Sequence, residues 1–135
     1  MPVIMYHAVM DDASRLGKYV ISPEELESDF KWLSENGYTA VLSEDLINYT
    51  ENGAALPEKP ILLTFDDGYY NNYLYAYPTA KRYGMKFVLS PIGKYADLYT
   101  ETPDKSPYYA HCTWDMLREM QSSGVVEIAN HTYDL

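Results

Sequence analysis

The run Ile61-Leu62-Leu63-Thr64-Phe65-Asp66-Asp67-Gly68 decides how this chain is read. Its apolar part has the length and composition of a buried strand, and it stops at two adjacent carboxylates and a glycine. Strand side chains alternate in direction, so neighbouring acids on a regular strand point to opposite faces. A glycine at the strand terminus frees the backbone to turn until both carboxylates reach one cleft. One could then bind a cation while the other works as a base. An Asp-Asp-Gly turn standing alone is more simply a solvated loop, so the reading depends on what the rest of the chain brings to the same place.

On either side, short apolar runs at Val3 to Tyr6, Thr39 to Leu42, Lys86 to Leu89 and Val125 to Ala129 alternate with amphipathic stretches. That order argues for βαβα units and a parallel sheet of about five strands. Ser22-Pro23-Glu24-Glu25 supplies a helix cap, a proline at the first helical position and a reciprocating acid, and Leu26, Phe30 and Leu33 follow at helical spacing before Asn36-Gly37. A second helix is predicted from Ser43 to just before Asn52-Gly53, a third from Pro78 toward Gly84, and a fourth over Trp114 to Ser122 behind Thr113. Ile92 to Ala110, with Pro103 and Pro107, reads as a long loop over one face. No internal repeat or linker divides the chain, so residues 1–135 form one domain.

With 135 residues the chain is short for an α/β barrel, which typically needs about 250. The expected architecture is therefore α/β, an incomplete (β/α) barrel. The 20 acids outnumber the 10 bases, and the net charge of −10 repels phosphate backbones and anionic membrane surfaces. Nucleic acid is excluded as a partner, and no apolar stretch reaches the roughly 18 residues of a membrane span. A neutral or partly cationic polymer is compatible with this charge. The 15 tyrosines offer flat faces for sugar rings, or ordinary packing. Cys112 stands alone, which excludes an intrachain disulfide and favours a small buried residue over a nucleophile. The opening Met1-Pro2-Val3-Ile4-Met5 lacks the basic and apolar regions of a signal peptide, so the expectation is a cytoplasmic protein or one whose leader has been removed.

Two histidines join the acids. His7 follows the first strand and His131 follows the fifth, in Asn130-His131-Thr132. Catalytic groups of parallel α/β barrels lie at the carboxyl ends of the strands, so three strand ends converge on one rim. With TFDDG at residues 64–68 and VEIANHT at residues 126–132, the chain resembles the polysaccharide deacetylases of the NodB-like carbohydrate esterase class. MYHAV at residues 5–9, SPEELESDFKWL at 22–33, the segment from Asp66 to Gly84 and the run from Thr113 to Thr132 carry the same resemblance over nearly the whole chain.

The resemblance implies an N-terminal part of a deacetylase domain, with a barrel of the glycoside hydrolase and deacetylase type. It implies Asp66 as catalytic base, Asp67 and His131 as metal ligands, and His7 in substrate contact or proton transfer. The implied substrate is an N-acetylglucosamine-containing polysaccharide, and the implied location is extracellular or the cell surface. The implied cofactor is a divalent metal, with zinc the default and cobalt, nickel or manganese tolerated by the same donors. The family's second metal-binding histidine lies four or five residues after the first; position four is Leu135, and position five would follow it. Two ligands bind zinc weakly where three are usual, so impaired activity is expected of this chain alone. Unpaired sheet edges would favour self-association into a homo-oligomer. A noncatalytic glycan-binding module is the competing class, and a two-metal phosphoesterase is disfavoured for want of ligands.

Overall fold

The structure is a computed structural model and describes residues 1–134. Its main sheet is open, with five parallel strands: β1 (Val3–Tyr6), β4 (Thr39–Val41), β5 (Pro60–Asp67), β6 (Phe87–Pro91) and β7 (Val126–Ile128). The hub is β5, which pairs with β1 from Leu62 to Phe65, with β4 from Pro60 to Leu62 and with β6 from Thr64 to Asp67. β7 lies beyond β6, with Phe87 opposite Val126. A second, two-stranded sheet joins β2 (Ala8–Val9) to β3 (Val20–Ile21), an element with no counterpart in the sequence reading.

Five α-helices connect the strands, and local chemistry explains three of them. In α1 (Pro23–Glu35) the Ser22 hydroxyl accepts from the Glu25 N–H at 3.1 Å. In α2 (Ser43–Asn52) the Asp45 carboxylate reaches back to the Leu42 N–H at 2.8 Å, and Gly53 closes the helix in the left-handed conformation. In α5 (Trp114–Ser122) Thr113 caps the Met116 N–H at 3.2 Å. The third helix, α3 (Tyr77–Tyr83), begins one residue before Pro78 and is preceded by a π-helical turn at Asn72–Ala76.

The fourth helix corrects the sequence reading. Ile92 to Ala110 is not one long loop, because Gly93–Glu101 forms α4. No side chain caps its start, and Ala96 is its only buried residue, so the local signal is weak. Long-range bonds hold it instead. The Gly93 and Lys94 N–H groups donate to the carbonyls of Thr132 and Tyr133 at 2.9 and 2.8 Å, and Trp114 Nε1 donates to Asp97 at 2.8 Å.

The core fills the space between the sheet and the helices. Leu26, Phe30, Leu63, Phe65, Phe87, Leu117 and Met120 are buried in one cluster, each contributing about 1.5–3 kcal/mol by leaving water. Tyr6 stacks on Phe65 with ring centroids 4.9 Å apart, and Phe65 meets Phe87 at 4.6 Å. This packing rigidly fixes the end of β5, where Asp67 has φ 79° and Gly68 φ 73°. A Cβ added at Gly68 would lie 2.7 Å from Pro91 Cβ. Gly84 has a similar φ of 67° but nothing within 4 Å of such a Cβ. Urea unfolding should therefore show Gly84→Ala costing about 1 kcal/mol and Gly68→Ala about 2–4 kcal/mol, through strain plus overlap.

Candidate functional site

Strand register brings the four sequence-predicted residues together. The pairing of Tyr6 with Phe65 carries His7 alongside Asp66, and His7 Nε2 lies 3.7 Å from Asp66 Oδ2. The pairing of Asp67 with Pro91, together with the His131 N–H donating to the Pro91 carbonyl at 3.2 Å, carries His131 alongside Asp67. His131 Nε2 lies 3.7 Å from Asp67 Oδ1. The left-handed Asp67 makes this possible: with its φ at 79°, the backbone leaves the regular alternation and each acid stands beside a different histidine at the carboxyl end of the sheet.

Both separations exceed a hydrogen bond, so neither pair satisfies itself. Two donors on a tetrahedral zinc with bonds of about 2.0–2.1 Å stand roughly 3.3 Å apart, close to the Asp67–His131 spacing. A carboxylate oxygen and an imidazole nitrogen are also the donors that such a cation takes. The residues present thus fit two positions of a metal centre. Among the described residues no third His, Cys, Asp or Glu joins them. Leu135, where the shorter family spacing would put a second histidine, lies outside the described residues.

The pairs open into a cleft of about 560 Å³ lined by His7, Asp67 and His131 together with Tyr19, Tyr69, Tyr108 and Tyr109. Asp66 stands beside His7 with its side chain 20% exposed and is not part of that lining among the described residues. The His7 ring meets Tyr19 edge-on at 5.0 Å. Burial, and then the Asp67 carboxylate, push the Tyr69 phenol above its ordinary range, so it stays protonated as a donor.

Three positioning residues, His111, Asn71 and Asn72, escaped the sequence reading, and Cys112, which it noted as a small buried residue, joins them. His111 Nδ1 lies 3.0 Å from the Asp67 carbonyl, and its ring is stacked against Tyr95 and Tyr99 with centroids 4.5 and 5.7 Å away. Burial holds its pKa down, so the ring is neutral near pH 7 and the Nδ1 proton donates to the carbonyl. The Cys112 N–H donates to the Gly68 carbonyl at 2.9 Å, and its thiol, pushed up to about 12 by burial, packs in the core cluster. Asn72 Nδ2 donates to the His7 carbonyl at 2.8 Å, while Asn71 accepts from the Val9 N–H and donates to the Pro107 carbonyl, each at 3.0 Å. The only sequence signal for His111 was its rarity, as one of three histidines.

Because the folded pKa of His111 lies below its ordinary 6.5, the unfolded chain binds more protons on the acid side. The stabilisation is complete above about pH 6.5 and is lost progressively as the pH falls through the folded value. Denaturant titrations across this window should show a loss of stability that is smaller in His111→Phe, which keeps the ring stack but cannot be charged.

Comparison with known proteins places this arrangement. A model of the polysaccharide deacetylase family matches residues 53–135. The chain is 33% identical over 138 residues to a poly-β-1,6-N-acetyl-D-glucosamine N-deacetylase of Escherichia coli (strain K12), covering 97% of this chain and 20% of that protein. In structure it is similar to a de-N-acetylase from Aggregatibacter actinomycetemcomitans, with a TM-score of 0.83 and 38% identity over 98% of this chain and 55% of that one. It is also similar to IcaB from Ammonifex degensii, with a TM-score of 0.79 and 29% identity over 98% and 53% of the two chains. The chain therefore spans a fifth of the curated relative and just over half of each solved one. Its sheet, its strand-end acids and these matches agree: the chain belongs to the polysaccharide deacetylase family.

Proposed function

We propose that the protein of which this chain is a part, or the whole, removes acetyl groups from an N-acetylglucosamine polymer by metal-assisted amide hydrolysis. The observation that supports the reading best is the pairing of Asp66 with His7 and of Asp67 with His131, both at 3.7 Å on one rim. Asp67 and His131 would hold the cation, zinc by donor type. When bound, such an ion polarises the acetyl carbonyl and makes a water more acidic.

The chain's own residues then divide the proton work. Asp66 accepts a proton from the attacking water as its oxygen bonds to the carbonyl carbon. His7, in its protonated form, delivers a proton to the amide nitrogen as the carbon–nitrogen bond breaks, leaving acetate and a free amine. Asp66 Oδ2 lies 3.7 Å from His7 Nε2, so the two proton-transfer groups stand side by side. His131 is kept near Asp67 by the α4 N–H groups that bind the carbonyls following it.

The relatives point to a β-1,6-linked polymer, which by its nature lies outside the cell membrane, and the protein is proposed to act there. No helix among the described residues is long and apolar enough to cross a membrane. The exposed Val3 and Met5 on the open β1 edge support self-association as part of the same proposal. A glycan-binding module without turnover is the second reading, favoured by the tyrosines that line the cleft.

Acetate release from β-1,6-linked N-acetylglucosamine oligomers separates them. Asp66→Asn should lower the rate by about 10²–10⁴-fold, the usual weight of a general base. His7→Ala should slow it comparably, through loss of proton delivery to the amide nitrogen. Undiminished release in Asp66→Asn would contradict the assignment, and oligomer binding without any acetate release would favour the second reading.

A further inference from the structure

We infer that Asp97 on α4 sets the spacing of Asp67 and His131 without itself ligating the cation: its carboxylate joins the segment that braces Asp67 to the segment that carries His131. The inference rests on the metal reading above and adds a positioning residue to it. One carboxylate oxygen, Oδ1, accepts from Trp114 Nε1 at 2.8 Å, and the other, Oδ2, accepts from the Tyr133 hydroxyl at 3.1 Å. The two donors lie 17 and 36 positions further along the chain, so the junction gathers three remote segments.

Each donor stands a short way from the rim. Trp114 begins α5 and follows His111 and Cys112, which bond the carbonyls of Asp67 and Gly68 at 3.0 and 2.9 Å. Its indole packs partly buried against the core, and its backbone N–H donates to Thr100 Oγ1 at 2.9 Å, so two residues of α4 hold it. Tyr133 follows His131 by two positions. Its carbonyl accepts from the Lys94 N–H at 2.8 Å, and the Thr132 carbonyl accepts from the Gly93 N–H at 2.9 Å. Those bonds fix where the chain crosses the start of α4, and the Asp97 bond fixes the Tyr133 side chain, which is otherwise 61% exposed. The ion pair of Lys94 with Asp134 at 3.2 Å is exposed on both sides and adds little.

The start of α4 makes room for this ring. A Cβ added at Gly93 would lie 2.9 Å from Tyr133 Cδ2 and 3.7 Å from Tyr133 Cα. A carboxylate suits the junction because it offers a separate acceptor to each of two donors. With Trp114 packed on the core and Tyr133 drawn to the same group, the 3.7 Å between Asp67 Oδ1 and His131 Nε2 is held from both sides. A pair held at that separation before the ion arrives loses less conformational freedom on binding it.

Calorimetric titration with zinc chloride tests this, on chains whose unfolding midpoints match the wild type. Asp97→Ala removes both bonds and should weaken zinc binding by about tenfold, the low end for groups that orient metal ligands. Tyr133→Phe keeps the ring and removes one bond, and Gly93→Ala displaces the ring, so each should weaken binding by less. Asp97→Asn should stay within about twofold of the wild type, because its amide oxygen still accepts from Trp114 and its amide N–H can donate to the Tyr133 hydroxyl. Zinc affinity unchanged in Asp97→Ala, or lost equally in Asp97→Asn, would overturn the assignment. Where Asp97→Ala fails to fold, Tyr133→Phe decides alone, and unweakened binding there has the same force. If the wild-type chain binds no zinc, the metal reading falls and amide hydrogen exchange decides the junction separately. Faster exchange of the Gly93 and Lys94 N–H groups in Tyr133→Phe would keep Asp97 as the brace of the His131 segment, and unchanged exchange would remove it.

Discussion

Asp67 sits at φ 79°, a conformation that costs a residue with a Cβ about 1–2 kcal/mol, and the arrangement of the rim depends on it. Among the described residues it is the only non-glycine residue with a positive φ. Extended backbone at this position would turn its carboxylate away from that of Asp66 by the alternation of the strand. The left-handed turn, followed at once by another at Gly68, leaves each acid beside a different histidine.

Strain of that size needs compensation close by, and the structure supplies it. The His111 bond to the Asp67 carbonyl and the Cys112 bond to the Gly68 carbonyl are worth about 1 kcal/mol each. That is enough to offset the backbone cost. Both come from the segment that also carries Tyr108 and Tyr109, so the loop that braces the acids builds the cleft wall. Asn71 and Asn72 extend the same brace to His7, Val9 and Pro107. The π-helical turn at Asn72–Ala76 follows directly, a widening of the helix that often accompanies functional sites.

Much of this was legible in the amino-acid sequence, for a physical reason. The caps at Ser22 and Thr113, the stop at Gly53 and the apolar strands act over a few residues, so their signals are local. The four rim residues were legible because parallel strands place their carboxyl ends side by side, and a reader needs only the strand ends to find the rim. What stayed hidden depends on partners far along the chain. Helix α4 is secured by carbonyls some forty positions later and lacks a cap of its own, so Ile92 to Ala110 read as a loop. His111 acts on a carbonyl |i−j| = 44 away, and Asn72 on one |i−j| = 65 away, and neither pairing leaves a pattern in composition or spacing. The tyrosines were conspicuous by number, yet only the folded chain selects Tyr19, Tyr108 and Tyr109 from among the fifteen.

The central claim is that this backbone turn aims Asp67 at a cation shared with His131. Calorimetric titration of zinc into the chain and into Asp67→Ala, under matched buffer and with folding verified, tests it most directly. The account predicts saturable binding by the chain, weak as befits the two ligands found among the described residues, and its loss in the variant. Zinc binding of equal strength in both proteins would contradict it.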